Sequence, residues 1–519
     1  MAKNGIAIHY LRTAMEKEIV LSGIRPTGFL HLGNYFGAMR NYVRMQDEYN
    51  CYFFVANWHS LTTHPDTKTL QESVLRVVAE NIACGLDPEK VSLYVQSDVP
   101  EIAELYLYLN MLAYKGELEK TTTFKDKVRM QPENVNAGLL TYPVLQAADI
   151  LIHRAVKVPV GKDQEQNLEM ARNFAERFNH RYGETFPLPY AFNYNSELVK
   201  IMGLDGNGKM SKSENQMTTL FLADEDEMIR KKVMKAKTDQ GPLTPNSVKP
   251  DYIQNLFTLM SLVSTADTVQ KFEDDFNNSS DGNCIIRYGD MKKQLAEDMV
   301  QFINPIRTKA TDLQNNICQR CHLQGITVLN DDKTFFDFRP GMHLSEVMNV
   351  FMPIYKGAKD NMIMASHVER MKMSNCYLVS QKMSCITCHN PHISVKYTPR
   401  KQYNDACISC HSSADKSCKE QSNIRNQKQN DCVTCHMPRN GSIDIPHVAV
   451  TDHYIRKRPL NKEEKSAITA FLGLKSYNND NPDAITSARA YMEFFERYNS
   501  NVGLIDSALH YLNKALIVE

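Results

Sequence analysis

Ser22-Gly23-Ile24-Arg25-Pro26-Thr27-Gly28-Phe29-Leu30-His31-Leu32-Gly33-Asn34 follows directly on Glu18-Ile19-Val20-Leu21, three apolar residues behind one charge. The run reads as a short buried strand, the Pro/Gly segment as a turn, and a helical pattern begins near Asn34. Outward from there, strand-like runs recur at 51–57, 91–96 and 157–160, with helical patterns between them at 68–84, 101–113 and 137–152. This alternation predicts an α/β fold, a Rossmann-like doubly wound parallel sheet with crossover helices. Ligands of such sheets bind beyond the carboxyl ends of the strands, which is where the first strand delivers Arg25-Pro26-Thr27-Gly28. From 225 to 306 strands vanish and helical segments follow one another, predicting a helical second domain.

Length and composition bound the rest. A chain of 519 residues exceeds the size at which one core keeps growing, so several domains are expected. Lys+Arg and Asp+Glu are equal at 60 each, so overall charge points to no partner. No apolar run reaches about eighteen residues, so no membrane span is expected. Residues 1–13 lack the apolar core and cleavage site of a signal peptide, which predicts a cytoplasmic protein. The extension 1–14 is expected to be disordered or spurious, with Met15 the working start.

Further motifs follow in order: Tyr114-Lys115-Gly116-Glu117-Leu118-Glu119, Thr141-Tyr142-Pro143-Val144-Leu145-Gln146-Ala147-Ala148-Asp149, Val158-Pro159-Val160-Gly161-Lys162-Asp163-Gln164 and Lys209-Met210-Ser211-Lys212-Ser213. Together with residues 22–34 they resemble class I aminoacyl-tRNA synthetases over about 15–316, and among these the tryptophanyl-tRNA synthetases. The stretch 158–164 lacks the double-glycine and tryptophan flanks of the tyrosyl enzymes. Tyr114–Glu119 is similar to that family's dimer region. The resemblance implies a tryptophan–tRNA ligase that uses ATP with Mg2+, L-tryptophan and tRNA(Trp), working as a homodimer.

The chemistry asks for these residue types. The amino-acid carboxylate attacks the ATP α-phosphorus and expels pyrophosphate, so cations aimed at the leaving group stabilise the transition state more than the ground state. Lys209 and Lys212 suit that role on a loop loosened by Gly203, Gly206 and Gly208; alone, such a Lys-rich loop reads as a solvated turn. Gly33 allows close backbone approach, and the helix start beside it favours phosphate charge. The resemblance assigns His31 and Asn34 to the phosphates. It places Arg25, Pro26, Thr27, Gly161, Lys162, Asp163, Ile201, Met210, Ser211 and Ser213 around the rest of ATP. Asp149 is the expected acceptor for the indole N–H, the one side-chain donor of tryptophan. A substrate without that donor would leave the carboxylate unpaired. Tyr142, Gln146, His59 and Gln164 are expected beside it; Gln146 stands where many bacterial relatives carry Met.

Downstream, C-x-x-C-H occurs four times, at Cys318/Cys321/His322, Cys385/Cys388/His389, Cys407/Cys410/His411 and Cys432/Cys435/His436. A C-x-x-C pair alone would also suit zinc, and the spacing of Cys388 and Cys407 fits a zinc ribbon. The fifth position decides. With 16 histidines in 519 residues, four chance hits have odds on the order of one in a million. Each motif is a c-type haem attachment sequence with a proximal His ligand. Second ligands are expected among His343, His367, His392, His447 and His453, in no assignable pairing. The stretch 317–459 resembles secreted multihaem c-type cytochromes of the doubled C-x-x-C-H kind. With no export signal, these motifs are expected to stay without covalent haem, leaving a loop-rich, poorly packed segment that is open to protease and to stray zinc. Cys376 and Cys418 read as simple thiols.

The expected organisation is therefore 1–14 as an extension and 15–205 as the catalytic domain, including the dimer-interface helices. Residues 206–316 form a signature loop and a helical tRNA-side domain lacking its last helix, which weakens the expectation of anticodon recognition. Then come 317–459 as a multihaem fragment and 460–519 as a helical, partly tetratricopeptide-like end, with helices at 470–474, 487–495 and 505–517. A multihaem electron carrier and a non-catalytic tRNA- or partner-binding scaffold are the alternative functions.

Overall fold

A computed structural model describes residues 17–63, 67–161, 164–192, 201–210, 216–339, 341–380, 383–390, 393–412, 417–445, 447–460 and 464–518. The expected extension 1–14 lies outside them. The chain divides into two compact units, 1–310 and 311–519.

In the first unit five parallel strands, β1 (Ile19–Ile24), β2 (Asn50–Val55), β3 (Ser92–Val95), β4 (Lys157–Val158) and β5 (Tyr190–Ala191), stand in the order β3-β2-β1-β4-β5. The last strand was not anticipated, being only two residues long. Period-two alternation explains the apolar runs. Val20, Phe53 and Val55 face one core with the helices Asp251–Val263 and Tyr288–His322. Leu21 and Phe54 face a second core with the helices Glu101–Asn110, Tyr142–Ile152 and Glu165–Tyr182. A strand covered on both faces calls for a near-continuous apolar run, which Ile19-Val20-Leu21 of β1 supplies. The strand order reverses between β1 and β4, which places the binding crevice at the end of β1.

The helix expected at 137–152 is two helices, Ala137–Leu140 and Tyr142–Ile152. Pro143 lacks the N–H that a continuous helix would bond, so the helix restarts with proline in its first turn. After the signature the helical stretch begins at Leu32–Asn34, widens into a π turn at Tyr35–Met39 and resumes at Arg40–Met45.

The second unit is better packed than a haem-deprived loop segment should be. Strands β6 (Ile326–Leu329), β7 (Met348–Tyr355) and β10 (Phe471–Ser476) form an antiparallel sheet with β7 central; β8 (Arg439–Gly441) and β9 (Ala449–Thr451) form a separate ribbon. β10 lies where a helix was expected at 470–474. So short an apolar run has no decisive period, and the free edge of β7 captured it. The two helices expected after it are Ala484–Arg497 and Gly503–Val518. They bury Ala488, Tyr491, Phe494 and Leu504 against Ile326, Val328 and Phe351, so they cover a sheet instead of stacking on another repeat. Met348 and Val350 face the opposite way, into a cluster with Leu344, Val347 and Val368.

This order stops short of the last three C-x-x-C-H motifs. Among the described residues no hydrophobic side chain between Met371 and Ala488 is buried.

Candidate functional site

Backbone pairing fixes the first ATP signature against residues 220–222, a few residues past the second signature. Leu32 N–H donates to the Leu220 carbonyl at 3.0 Å, and Leu222 N–H to the Leu30 carbonyl at 2.8 Å. His31 and Phe221 form an antiparallel bridge between them. The Leu30 N–H is held by the buried Glu80 carboxylate at 3.0 Å, a contact fifty residues distant that no local pattern signals. His31 is buried and caps the helix reciprocally with Asn34, whose Oδ1 accepts the His31 N–H at 3.1 Å.

The second signature starts on a tight turn. Met202 bridges Lys209, the Met210 N–H donates to the Ile201 carbonyl at 2.9 Å, and Gly206 takes φ +76°. A side chain at Gly206 would also meet Tyr252 Cβ at 2.5 Å, so glycine is required there twice over. Met210 and Ile201 bury their side chains in the core. Lys209 is exposed. Ser211, Lys212, Ser213, Lys162 and Asp163 lie outside the described residues, and Gly161 is exposed beside them.

Gly33 has a specific packing reason. A Cβ there would stand 2.9 Å from His31 Nδ1 and 3.7 Å from Met210 Cβ, where the two signatures meet. Gly33→Ala is expected to displace His31 and lower the activation rate by at least tenfold while shifting the unfolding midpoint little. Paired pyrophosphate-exchange and thermal-melt measurements check this.

Arg25 is half-buried, Pro26 buried and Thr27 exposed, on the turn that leaves β1 through Gly28 at φ +96°. Near it stands a residue that sequence reading missed. Lys127, on the helix Thr122–Met130, has its pKa lowered first by burial and then by the Arg25 cation. Two cations drawn together in this way are relieved by an anionic ligand.

Asp149 is 1% exposed and built into a network. Its Oδ2 lies 2.7 Å from His59 Nε2, and its Oδ1 accepts from Gln96 Nε2 at 2.8 Å. Gln96, itself fully buried, accepts the Trp58 N–H through Oε1 at 3.0 Å, so its amide cannot flip. His59 follows β2 and Gln96 follows β3, the carboxyl ends where ligands of this fold sit. The Tyr142 ring lies 4.5 Å from that of His59. His59 Nδ1 is buried with no hydrogen-bond partner. In a neutral imidazole with Nε2–H turned to Asp149, Nδ1 is an acceptor. Asp149 retains free lone pairs, since each carboxylate oxygen accepts two hydrogen bonds. Gln146 and Gln164 converge through the buried Asn167, whose Nδ2 donates to their side-chain oxygens at 3.2 and 3.0 Å. Asn167 and Gln96 were not foreseen, since an isolated amide carries no motif. Behind the carboxylate, Tyr94 OH is 2.6 Å from His153 Nε2. Burial, then the nearby Asp149 charge, pushes the Tyr94 phenol up.

All thirteen cysteines of the chain are free thiols, ten of them in the second unit. Two thiol contacts cross between motifs. Cys318 meets Cys385, whose S–H holds the Cys318 pKa down to about 7, and Cys407 meets Cys432. Cys376 stands within electrostatic reach of Cys388 and Cys410. No group of three or more His, Cys, Asp or Glu residues among those described is arranged to hold a metal ion, so the expected scavenging of zinc finds no site here. His343, His411 and His447 are exposed, His392 lies outside the described residues, and Cys321, Cys410 and Cys435 are exposed.

A nucleotide-type parallel sheet with the first ATP signature at the end of β1 and Met210 of the second packed beside Gly33 defines a class I synthetase catalytic domain. The family profile "tRNA synthetases class I (W and Y)" matches residues 13–304, and "Doubled CXXCH motif" matches 378–416. A tryptophan--tRNA ligase of Porphyromonas gingivalis is 60% identical over 298 residues, 57% of this chain and 89% of that protein. One of Helicobacter pylori is 40% identical over 304 residues, 58% of this chain and 90% of that protein. A crystal structure of tryptophanyl-tRNA synthetase from Campylobacter jejuni, complexed with ADP and tryptophane, superimposes with a TM-score of 0.52 at 33% identity. That match covers 58% of this chain and 91% of that one. The chain belongs to the class I tRNA synthetases of the W and Y family.

Proposed function

We infer that the first unit is a tryptophan–tRNA ligase: it activates L-tryptophan with ATP, releases pyrophosphate and passes the aminoacyl group to tRNA(Trp). The observation that carries this is the buried Asp149 acceptor, held from both sides by His59 and Gln96 at the strand ends. Asp149 accepts the indole N–H, Tyr142 and His59 pack beside the ring, and Gln146 and Gln164 line the approach. His31 and Asn34, fixed by their mutual cap, bind phosphate oxygens. Arg25, Lys127, Lys209 and Lys212 supply the positive charge that grows in value as pyrophosphate departs. Mg2+ accompanying ATP would offset the phosphate charge. Pyrophosphate exchange dependent on tryptophan and absent with tyrosine is the expected result; exchange with tyrosine alone refutes the assignment.

The active unit is a homodimer in the cytoplasm. Leu107, Tyr108, Met111 and Tyr114 are 57%, 63%, 75% and 64% exposed, an apolar stripe beside the Tyr114–Glu119 segment that a second copy would cover. Among the described residues no helix is long and apolar enough to cross a membrane. The double variant Leu107→Glu, Met111→Glu is expected to halve the mass measured by light scattering, because two carboxylates cannot be desolvated in such a contact.

A further inference from the structure

Four imidazoles from distant parts of the chain gather in the second unit. Their ring centroids are 5.7 Å apart for His322 and His367, 4.6 Å for His367 and His453, and 6.0 Å for His389 and His453. His322 and His389 close the first and second C-x-x-C-H motifs; His367 and His453 belong to no motif. We infer that His367 and His453 are the distal ligands of two haems, with His322 paired to His367 and His389 paired to His453.

The spacing fits the chemistry. Two Fe–N bonds of about 2 Å, plus about 1.1 Å from each nitrogen to its ring centre, put the centroids of two axial imidazoles about 6 Å apart. The 5.7 and 6.0 Å pairs meet this distance, and each joins one motif histidine to one outside histidine.

The donor set fits as well. His453 Nδ1 lies 3.0 Å from the Thr451 carbonyl. A carbonyl only accepts, so Nδ1 carries the proton and Nε2 keeps the lone pair that a metal needs. The motif histidine His436 is oriented in the same way, with Nδ1 2.8 Å from the Arg456 carbonyl.

The two distal residues are also held in place. Arg370, three residues past His367, makes a bidentate ion pair at 2.8 Å with Asp452, the neighbour of His453. Arg370 is 1% exposed and Asp452 fully buried. A pair so desolvated contributes register more than stability, and here it locks the His367 helix to the end of β9.

The missing core completes the case. No apolar side chain among the described residues from 372 to 487 is buried, and Leu378, Val379, Val395, Tyr397, Ile408, Ile443 and Val448 stand exposed around the motifs. Flat apolar macrocycles would cover them. Attachment adds each cysteine S–H across a porphyrin vinyl group: sulfur bonds the inner carbon, hydrogen the outer, and nothing is expelled. For that the Cys318–Cys385 contact must open. The ligand pairing does not depend on the route by which haem arrives.

The test uses the full chain carrying His411→Leu and His436→Leu, reduced with a phosphine and titrated with haemin, read by electron paramagnetic resonance. Two low-spin bis-imidazole haems per chain are expected. His367→Ala and His453→Ala should each convert one to high spin, and added imidazole should restore it. In an additional His322→Ala background the surviving low-spin signal should depend on His453 and not on His367; in a His389→Ala background the dependence should reverse. His447→Ala should change nothing. Failure to take up haem, thiolate-ligated iron, low-spin signals indifferent to both variants, loss without imidazole rescue, or the opposite dependence would each overturn the pairing.

Discussion

Lys209→Ala is expected to slow tryptophan-dependent pyrophosphate exchange by on the order of 10²- to 10³-fold while leaving tryptophan affinity almost unchanged. The reason is where the charge develops. The Asp149 network proposed to bind tryptophan is rooted in β2, β3 and the helix Tyr142–Ile152, none of which involves the signature loop. Lys209 is exposed on its turn while the next residue, Met210, is buried as an anchor. The backbone thus fixes the loop's base and leaves the ammonium free to meet the leaving group. Loss of the cation should therefore fall on kcat, and Lys209→Arg should recover only part of it, because a planar guanidinium does not replace a compact point charge. Equilibrium dialysis with tryptophan, alongside exchange rates, separates the two effects. A parallel loss of tryptophan affinity would place Lys209 in the structure of the pocket.

Asp149→Ala is expected to produce the opposite split. The lost charged acceptor should cost about 1.5–3 kcal/mol in tryptophan use, roughly 10- to 150-fold in kcat/KM, with ATP affinity retained. The structure adds a second consequence. Removal of the carboxylate strands the Gln96 amide and the His59 imidazole, both buried, so the unfolding midpoint should fall as well. Gln96→Leu separates the two roles. It removes one orienting donor and leaves the acceptor, so it should weaken tryptophan binding less than Asp149→Ala while still disturbing the packing. Calorimetry of ATP binding is the control: an equal loss there would make Asp149 a support of the fold.

Much of this was legible in the chain itself. The apolar run before Arg25, the two signatures and the four C-x-x-C-H motifs are local patterns, in which identity and spacing within a few residues specify the chemistry. They sufficed for the parallel sheet and the family. What they left open were the contacts between residues far apart. Glu80 under the signature, Gln96 on Asp149, and Lys127 beside Arg25 lie tens of residues apart and carry no periodicity. The strand at Phe471–Ser476 depended on an edge supplied by residues 348–355, and the imidazole pairs on the buried Arg370–Asp452 bridge. Each of these was decided by burial. A polar group removed from water must find its partner wherever the folded chain brings one, and that choice exists only once the chain has closed on itself.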